Sequence, residues 1–235
     1  MSRLNILSGG AAQGLVVSLT PAFKALTGFD IAGEFGAVGV MADKLRQGTP
    51  ADIIILTAAL LAKLDQEKLV VSASITDVGL VETALAVRTG DPKVSVRDAA
   101  ELREVLLAAD AIFVPDTRAS TAGIHVAKVL QQLGIAAKVA GRLRIFPNGA
   151  TAMRELAASK AQRPIGCTQS TEIISTQGVN LCGSLPAGCE LATMYTAGIT
   201  TAAAHPHQAR HLIDLLTGAG QRDKRTHAGF IGGES

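Results

Sequence analysis

Apolar positions along the chain alternate between two periods. Leu4, Ile6 and Leu7 read as a strand, and Leu15, Val16, Leu19, Phe23 and Leu26 then recur at helical spacing. The helical run stops at Gly28, a residue type favoured just past a helix C-terminus, while Pro21 inside it predicts a kink or a later start. FDIAGEF (29–35) is a strand pattern and GVMADKLRQG (39–48) a helix closed by Gly48. ADIIIL (51–56) is apolar without interruption after Asp52, as strands buried on both faces of a parallel sheet are. Residues 58–68 return to an amphipathic helical pattern.

From Val78 to Leu85 the pattern is extended with no long helix beside it (VGLVETALAVRTG). Alternation resumes with DAAELREVLLAA as helix, DAIFVPD as strand, TAGIHVAKVLQQLG as helix and AAKVAGRL as a helix end or strand. NGATAMRELAAS reads as helix, RPIGCTQS and VNLCGSLP as strands, Leu191–Ala203 as a long extended stretch and HPHQARHLIDLLTGAG as a closing helix. Helices interleaved with buried strands predict an α/β fold with open, mainly parallel sheets. If the extended stretches near 78–88 and 191–203 both cross between lobes, the domains are discontinuous. The expectation is two Rossmann-like lobes, residues 1–79 plus 194–235 (lobe I) and 80–193 (lobe II), joined by two crossing strands with a ligand cleft between them.

Composition narrows the function classes. The 235 residues are 48% apolar and 18% charged, with 22 Lys and Arg against 20 Asp and Glu. That gives material for substantial cores and no dominant charge, so no nucleic-acid footprint is expected. With six Phe, one Tyr and no Trp there is little for stacking on bases or sugars. The longest apolar run, Ile53–Leu61, is broken by Thr57 and is far short of the ~20 residues of a membrane span. Only Met1, Ser2 and Arg3 precede the first strand, which predicts a cytoplasmic protein, or a periplasmic one if a secretion signal has been removed. Cys167, Cys182 and Cys189 fit no metal spacing, and a Cys182–Cys189 disulfide is the minor alternative to free thiols.

The candidate chemistry lies where strands hand over to helices. Ser8-Gly9-Gly10-Ala11-Ala12 lets the backbone come close to a ligand and presents N–H groups at a helix start, where partial positive charge favours an anion. The same residues also make a tight turn. Gly36-Ala37-Val38-Gly39 is a second, plainer junction. In Asp116–Gly123, Ser120 and Thr121 either cap the next helix or donate to an oxyanion together with the Ala122 amide, and Arg118 either grips a carboxylate or is a solvated charge. Gly166-Cys167-Thr168-Gln169-Ser170-Thr171-Glu172 bunches polar residues at the end of a buried strand, and Asn148-Gly149-Ala150-Thr151 opens another helix. Thr57, at the end of an apolar strand, points to the same region. Tyr195, in the second crossing stretch, either reaches it with its hydroxyl or is a core residue. Tyr195 and Cys167 are the candidate catalytic groups, with Glu172 and Asp116 as further proton carriers. His205, His207 and His211 lack acidic companions and read as a surface face, so neither metal nor other cofactor is expected.

The segments LNILSGGAA, FKALTG, EFGAVG, KLRQGTPADIIIL, STAGIHVAKVLQQLGI, PIGCTQSTEI and GVNLCGSLPA together resemble the type II periplasmic solute-binding proteins of the molybdate-binding group, over nearly the whole chain. The resemblance implies the periplasmic binding protein fold and a small anionic ligand. Members that bind molybdate use serine hydroxyls in the first two loops, where this chain has Ala11 and Val38, which implies a different anion. The SGG opening and the QSTE loop look more like the sub-branch that includes aconitate isomerase, built on this fold without a cofactor. That likeness implies a small di- or tricarboxylate and an isomerase or tautomerase activity. The alternative is a non-catalytic solute receptor that partners the permease of an ABC-type uptake system.

Overall fold

The computed structural model describes residues 2–232. In chain order its elements are β1 (Arg3–Gly9), α1 (Gln13–Thr27), β2 (Asp30–Gly36), α2 (Val38–Arg46), β3 (Ile53–Thr57), α3 (Ala58–Gln66), β4 (Thr76–Arg88), α4 (Ala99–Ala108), β5 (Ala111–Pro115) and α5 (Thr121–Gln132). They continue with α6 (Ala136–Val139), β6 (Leu143–Phe146), α7 (Gly149–Ala158), β7 (Pro164–Gln169), α8 (Ser170–Ile174), β8 (Val179–Ser184), β9 (Ala192–Ile199), α9 (Pro206–Thr217) and α10 (Arg222–His227). Residues up to Val81 and from Thr193 onward form one compact unit, and Glu82–Ala192 forms a second.

In the first unit β1 pairs in parallel with β2 on one side and β3 on the other. β9 lies antiparallel beside β3, with Ile53 opposite Ile199 and Thr57 opposite Tyr195. Every residue of β3 is buried, as its unbroken apolar run requires. Leu4, Ile6 and Leu7 of β1 pack with Ile53–Leu56, with Leu15, Leu19 and Phe23 of α1, and with Leu212, Ile213 and Leu216 of α9. Buried Asp52 ties the start of β3 to its neighbours by accepting from the Asn5 and His205 amides at 2.8 Å each.

In the second unit β7 lies between β4, antiparallel, and β5, parallel, with β6 parallel to the outer side of β5 and β8 antiparallel to β4. Side-chain alternation divides this sheet into two cores. Leu85 and Cys167, directly opposite one another, pack with Leu102, Leu106, Val126, Val129 and Leu130 of α4 and α5. Ala84, Ala86 and Phe113 face Met153, Leu156 and Ile173 of α7 and α8 on the other side. Helices therefore cover both faces, as an open α/β sheet demands.

One local expectation is corrected, at Pro21, and two short helices, α8 and α10, are added to those expected. Pro21 neither kinks nor delays α1, which runs unbroken from Gln13 to Thr27. The bond Pro21 removes would have used the carbonyl of Val17, a residue 60% exposed, so that turn is on the side open to solvent. Gly28 caps the helix at φ 74° and donates to the Lys24 carbonyl at 2.8 Å. AAKVAGRL resolves into the four-residue α6 and a 3₁₀ turn, followed by a separate edge strand, β6. QSTE is the end of β7 and the start of a short helix, and a further helix, α10, follows α9.

Gly123 is what lets α5 seat on the end of β5. A Cβ there would fall 2.1 Å from the Asp116 carbonyl oxygen and 2.5 Å from that of Pro115. Gly-to-Ala changes inside a helix usually stabilise by about 1 kcal/mol, but backbone atoms cannot yield as a flexible side chain does. Gly123→Ala is expected to lower stability by about 1–3 kcal/mol, read as a fall in the urea midpoint at unchanged slope.

Candidate functional site

The first cluster forms where β1, β3 and β9 meet the start of α2. Gly9 is placed at the crossing: a Cβ on it would lie 2.7 Å from Val38 Cγ1 and 3.0 Å from Tyr195 Cε1. Tyr195 is 2% exposed and stands directly opposite Thr57. Gly9, Val38, Thr57 and Tyr195 are thus brought together. Gly10, Ala11 and Ala12 form a buried 3₁₀ turn that carries β1 into α1. Ala37 before α2 offers no capping side chain, so that helix start presents bare main chain, whereas α1 continues from the 3₁₀ turn with the Gln13 amide donating to the Gly10 carbonyl. Ser8 is turned inward, its hydroxyl donating to the Gly9 carbonyl at 2.9 Å. The Thr57 hydroxyl accepts from the Leu60 amide at 3.4 Å and caps α3.

The second cluster lies at the ends of β5 and β7. Asp116 Oδ1 accepts from the amides of Arg118 and Ala119 at 2.7 and 2.9 Å, and this shapes the loop that delivers α5. Asp116 is thereby a loop-forming acceptor. Arg118 is exposed beside it. Ser120 is the N-cap residue of α5 by position, yet its hydroxyl makes no capping bond, and α5 begins with Thr121, Ala122 and Gly123. Four positions along, Ile124 makes the first helical bond to the Ser120 carbonyl at 2.9 Å, so the three amides before it point out of the helix.

Glu172 changes the reading of the loops at Asn148 and Thr168. It is 5% exposed, and the Thr168 hydroxyl donates to Glu172 Oε2 at 2.6 Å. The amides of Ala150, Gln169 and Gly149 also donate to its carboxyl group. A Cβ on Gly149 would fall 1.9 Å from Glu172 Oε2 and 2.2 Å from Thr168 Oγ1, so only glycine admits the carboxylate to the start of α7. Asn148 caps that helix with its own side chain, accepting from the Thr151 amide at 2.8 Å. The N–H cluster expected to receive a ligand at 148–151 is taken by a residue of the chain itself. Burial pushes the Glu172 carboxyl above the ordinary value of 4.5, against the opposing pull of the Thr168 hydroxyl and the three amides. The Thr168–Glu172 spacing across a strand-to-helix junction was the available sequence signal for this arrangement.

Cys167 does not fit the role of nucleophile. It sits in the apolar layer between the sheet and α5, and burial pushes its thiol up to about 12. A thiol at that value stays protonated at neutral pH, and the thiolate is the reactive form. Cys182 and Cys189 are free, and burial followed by the charge of Glu190 raises the Cys189 thiol. Ser170 is buried at the start of α8, next to Gln169 at the end of β7. Among the described residues no group of three or more His, Cys, Asp and Glu could hold a metal ion, and no helix is long and apolar enough to cross a membrane.

Residues 4–231 match the bacterial extracellular solute-binding proteins. The chain belongs to that family. The aconitate isomerase of a Pseudomonas species is 23% identical over 224 residues, covering 92% of this chain and 82% of that protein. The periplasmic molybdate-binding protein of Azotobacter vinelandii superposes with a TM-score of 0.80 at 18% identity, over 97% of this chain and 98% of that one. The sulfate-binding protein SubI of Mycobacterium tuberculosis gives 0.75 at 17% identity, over 98% and 86%. This solute-binding protein therefore has the type II periplasmic binding protein fold that its sequence resembles. The family is an extracellular one, which gives no support to the cytoplasmic placement expected from the short lead before β1.

The Glu172 arrangement has a pH signature. Because its carboxyl is raised in the folded chain, the folded state holds that proton more tightly than the unfolded one. The stability it contributes is complete below the unfolded value and is lost as pH rises through the raised folded value. Glu172→Gln is expected to be less stable than wild type at low pH, since its amide sets donors against donors. The gap should narrow as pH climbs above 4.5, measured as the melting-temperature difference between the two proteins across pH 4–8.

Proposed function

We propose that the protein binds a small organic di- or tricarboxylate, with main-chain amides at strand-to-helix junctions as the principal donors and Arg118 as an auxiliary charge. The observation that carries this reading is the apolar character of the first cluster. Ala11 and Val38 stand where the molybdate-binding members place serine hydroxyls, so a compact oxyanion would lose two donors there. A lost hydrogen bond to a charged group costs about 1.5–3 kcal/mol, enough to turn selectivity away from molybdate and sulfate. A carboxylate group has two oxygens to satisfy instead of four and brings carbon that suits Ala11 and Val38. The full-length likeness to aconitate isomerase, a protein named for a tricarboxylate, supports the same class. We place the protein outside the cytoplasm, as a ligand receptor for an ABC-type transporter.

The aconitate isomerase likeness favours a second reading, in which the bound acid is also isomerised. Amides aimed at a carboxylate would stabilise an enolate-like transition state, and the phenol of Tyr195, beside Gly9, is the group assigned to proton transfer. Cys167 is protonated in the core, and Asp116 and Glu172 are engaged by amides.

Calorimetry against matched anions tests the binding reading: citrate, tricarballylate and aconitate should bind, and molybdate and sulfate should not. Arg118→Ala should weaken carboxylate binding by about 1 kcal/mol, roughly fivefold in Kd, since an exposed cation is partly screened. Tight molybdate binding with no carboxylate binding would overturn the proposal. Incubation with trans-aconitate in D₂O, followed by proton NMR, separates the two readings. Solvent deuterium entering the acid, and its loss in Tyr195→Phe, marks catalysis, whereas an unchanged spectrum leaves a receptor.

A further inference from the structure

On the α5 side of the second unit's sheet, one rung beyond the apolar layer, are side-chain polar groups that none of the described residues satisfies. Gln169 Oε1 and Nε2 and Thr83 Oγ1 are buried, and no hydrogen-bond partner meets them among the described residues. Gln169 is 3% exposed and Thr83 1%. Buried polar groups in folded proteins are nearly always paired, and an unpaired set marks a place that something else fills.

The two residues are directly opposite on β4 and β7, so their side chains leave the sheet on the same face. The next opposed pair, Leu85 and Cys167, packs under Val126, Val129 and Leu130 of α5. Gln169 is two residues further along β7, at its carboxyl end, and α5 begins at the carboxyl end of the neighbouring parallel strand β5. The carboxamide and hydroxyl are therefore on the sheet face that α5 covers and at the end where α5 begins, and the N-cap hydroxyl of that helix makes no capping bond. Their own backbone cannot serve them. The Thr83 amide donates to the Leu191 carbonyl, its carbonyl accepts from Leu185, and the Gln169 amide donates to Glu172.

The chemistry of this set is specific. A carboxylate, like molybdate or sulfate, only accepts hydrogen bonds. It can satisfy the α5 amides and Gln169 Nε2, but it leaves Gln169 Oε1 facing another acceptor. An alcohol both donates and accepts. We propose, resting on the carboxylate-binding reading above, that Thr83 and Gln169 form a neutral recognition pair selecting acids that carry a hydroxyl beside the carboxylate. The carboxylate accepts from the first-turn amides of α5 and from Gln169 Nε2. The ligand hydroxyl donates to Gln169 Oε1 and accepts from the Thr83 hydroxyl. All three orphaned atoms are then paired by one small molecule, a 2-hydroxy di- or tricarboxylate.

Matched ligand pairs read this directly: citrate against tricarballylate and malate against succinate, titrated calorimetrically into wild type, Thr83→Val, Thr83→Ser and Gln169→Met. Wild type should prefer the hydroxylated member of each pair by about tenfold to a hundredfold, as expected when a buried donor or acceptor is left without its partner. Thr83→Val and Gln169→Met should bring that ratio towards unity, and Thr83→Ser, which keeps the hydroxyl, should retain it. Melting temperatures confirm that each variant is folded, and the ratio of two affinities in the same protein is insensitive to a small loss of active fraction. Equal affinity within both pairs in wild type overturns this inference and leaves the carboxylate reading standing. An undiminished preference in both Thr83→Val and Gln169→Met also overturns it. Absence of binding by all four acids overturns both.

Discussion

A helix that starts directly at the end of a buried strand brings its first N–H groups to a place where water is scarce, and those groups need acceptors. This constraint shapes the strand-to-helix junctions of each unit. At α3 the acceptor is the hydroxyl of Thr57, and at α7 it is the Asn148 side chain together with the carboxylate of Glu172. At α2 the preceding residue is Ala37, whose side chain has nothing to offer. At α5 the serine in capping position leaves its hydroxyl unused for the purpose. The chain thus answers the demand with side chains at some helix starts and not at others.

Glycine at two positions makes this division possible. Gly149 gives the Glu172 carboxylate access to the start of α7, and Gly9 lets β1 end against Val38 and Tyr195. Both are positions where any side chain would fill the space another group occupies, so neither glycine is there for turn geometry alone. The consequence for selectivity is chemical. With the α7 amides committed to Glu172, the acceptor-hungry groups that remain are fewer and are mixed with a carboxamide and a threonine hydroxyl. On the proposed reading, such groups suit a carboxylate with neutral polar substituents better than a symmetric inorganic dianion, whose oxygens all need donors.

The fold was legible because burial imposes periodicity. ADIIIL could only be a strand covered on both faces, and the opening alternation of strand and helix through 1–66 matches the elements found. Elements that do not stand on their own periodicity were harder. β6 is four residues of mixed exposure at a sheet edge, and α8 is five residues fixed by the strand before it. Pro21 was misleading, because a missing helical bond is tolerated on a turn whose outer side faces solvent. Among the site residues, Gly9, Thr57 and Tyr195 gather as strand ends should. Cys167 alternates onto the apolar face instead, one residue away from Thr168, which turns to Glu172.

By itself the sequence determined the class of fold, the places where strands become helices, and the exclusion of stacking platforms and long apolar spans. These follow from local pattern and composition, which are properties of short stretches of chain. Only the tertiary structure decided which junctions are already occupied. Whether an amide meets Glu172 or an orphaned hydroxyl faces Gln169 depends on strand register and on the face to which each side chain alternates. Those relations join residues such as Thr83 and Gln169 that are far apart in the chain and opposite one another in the sheet.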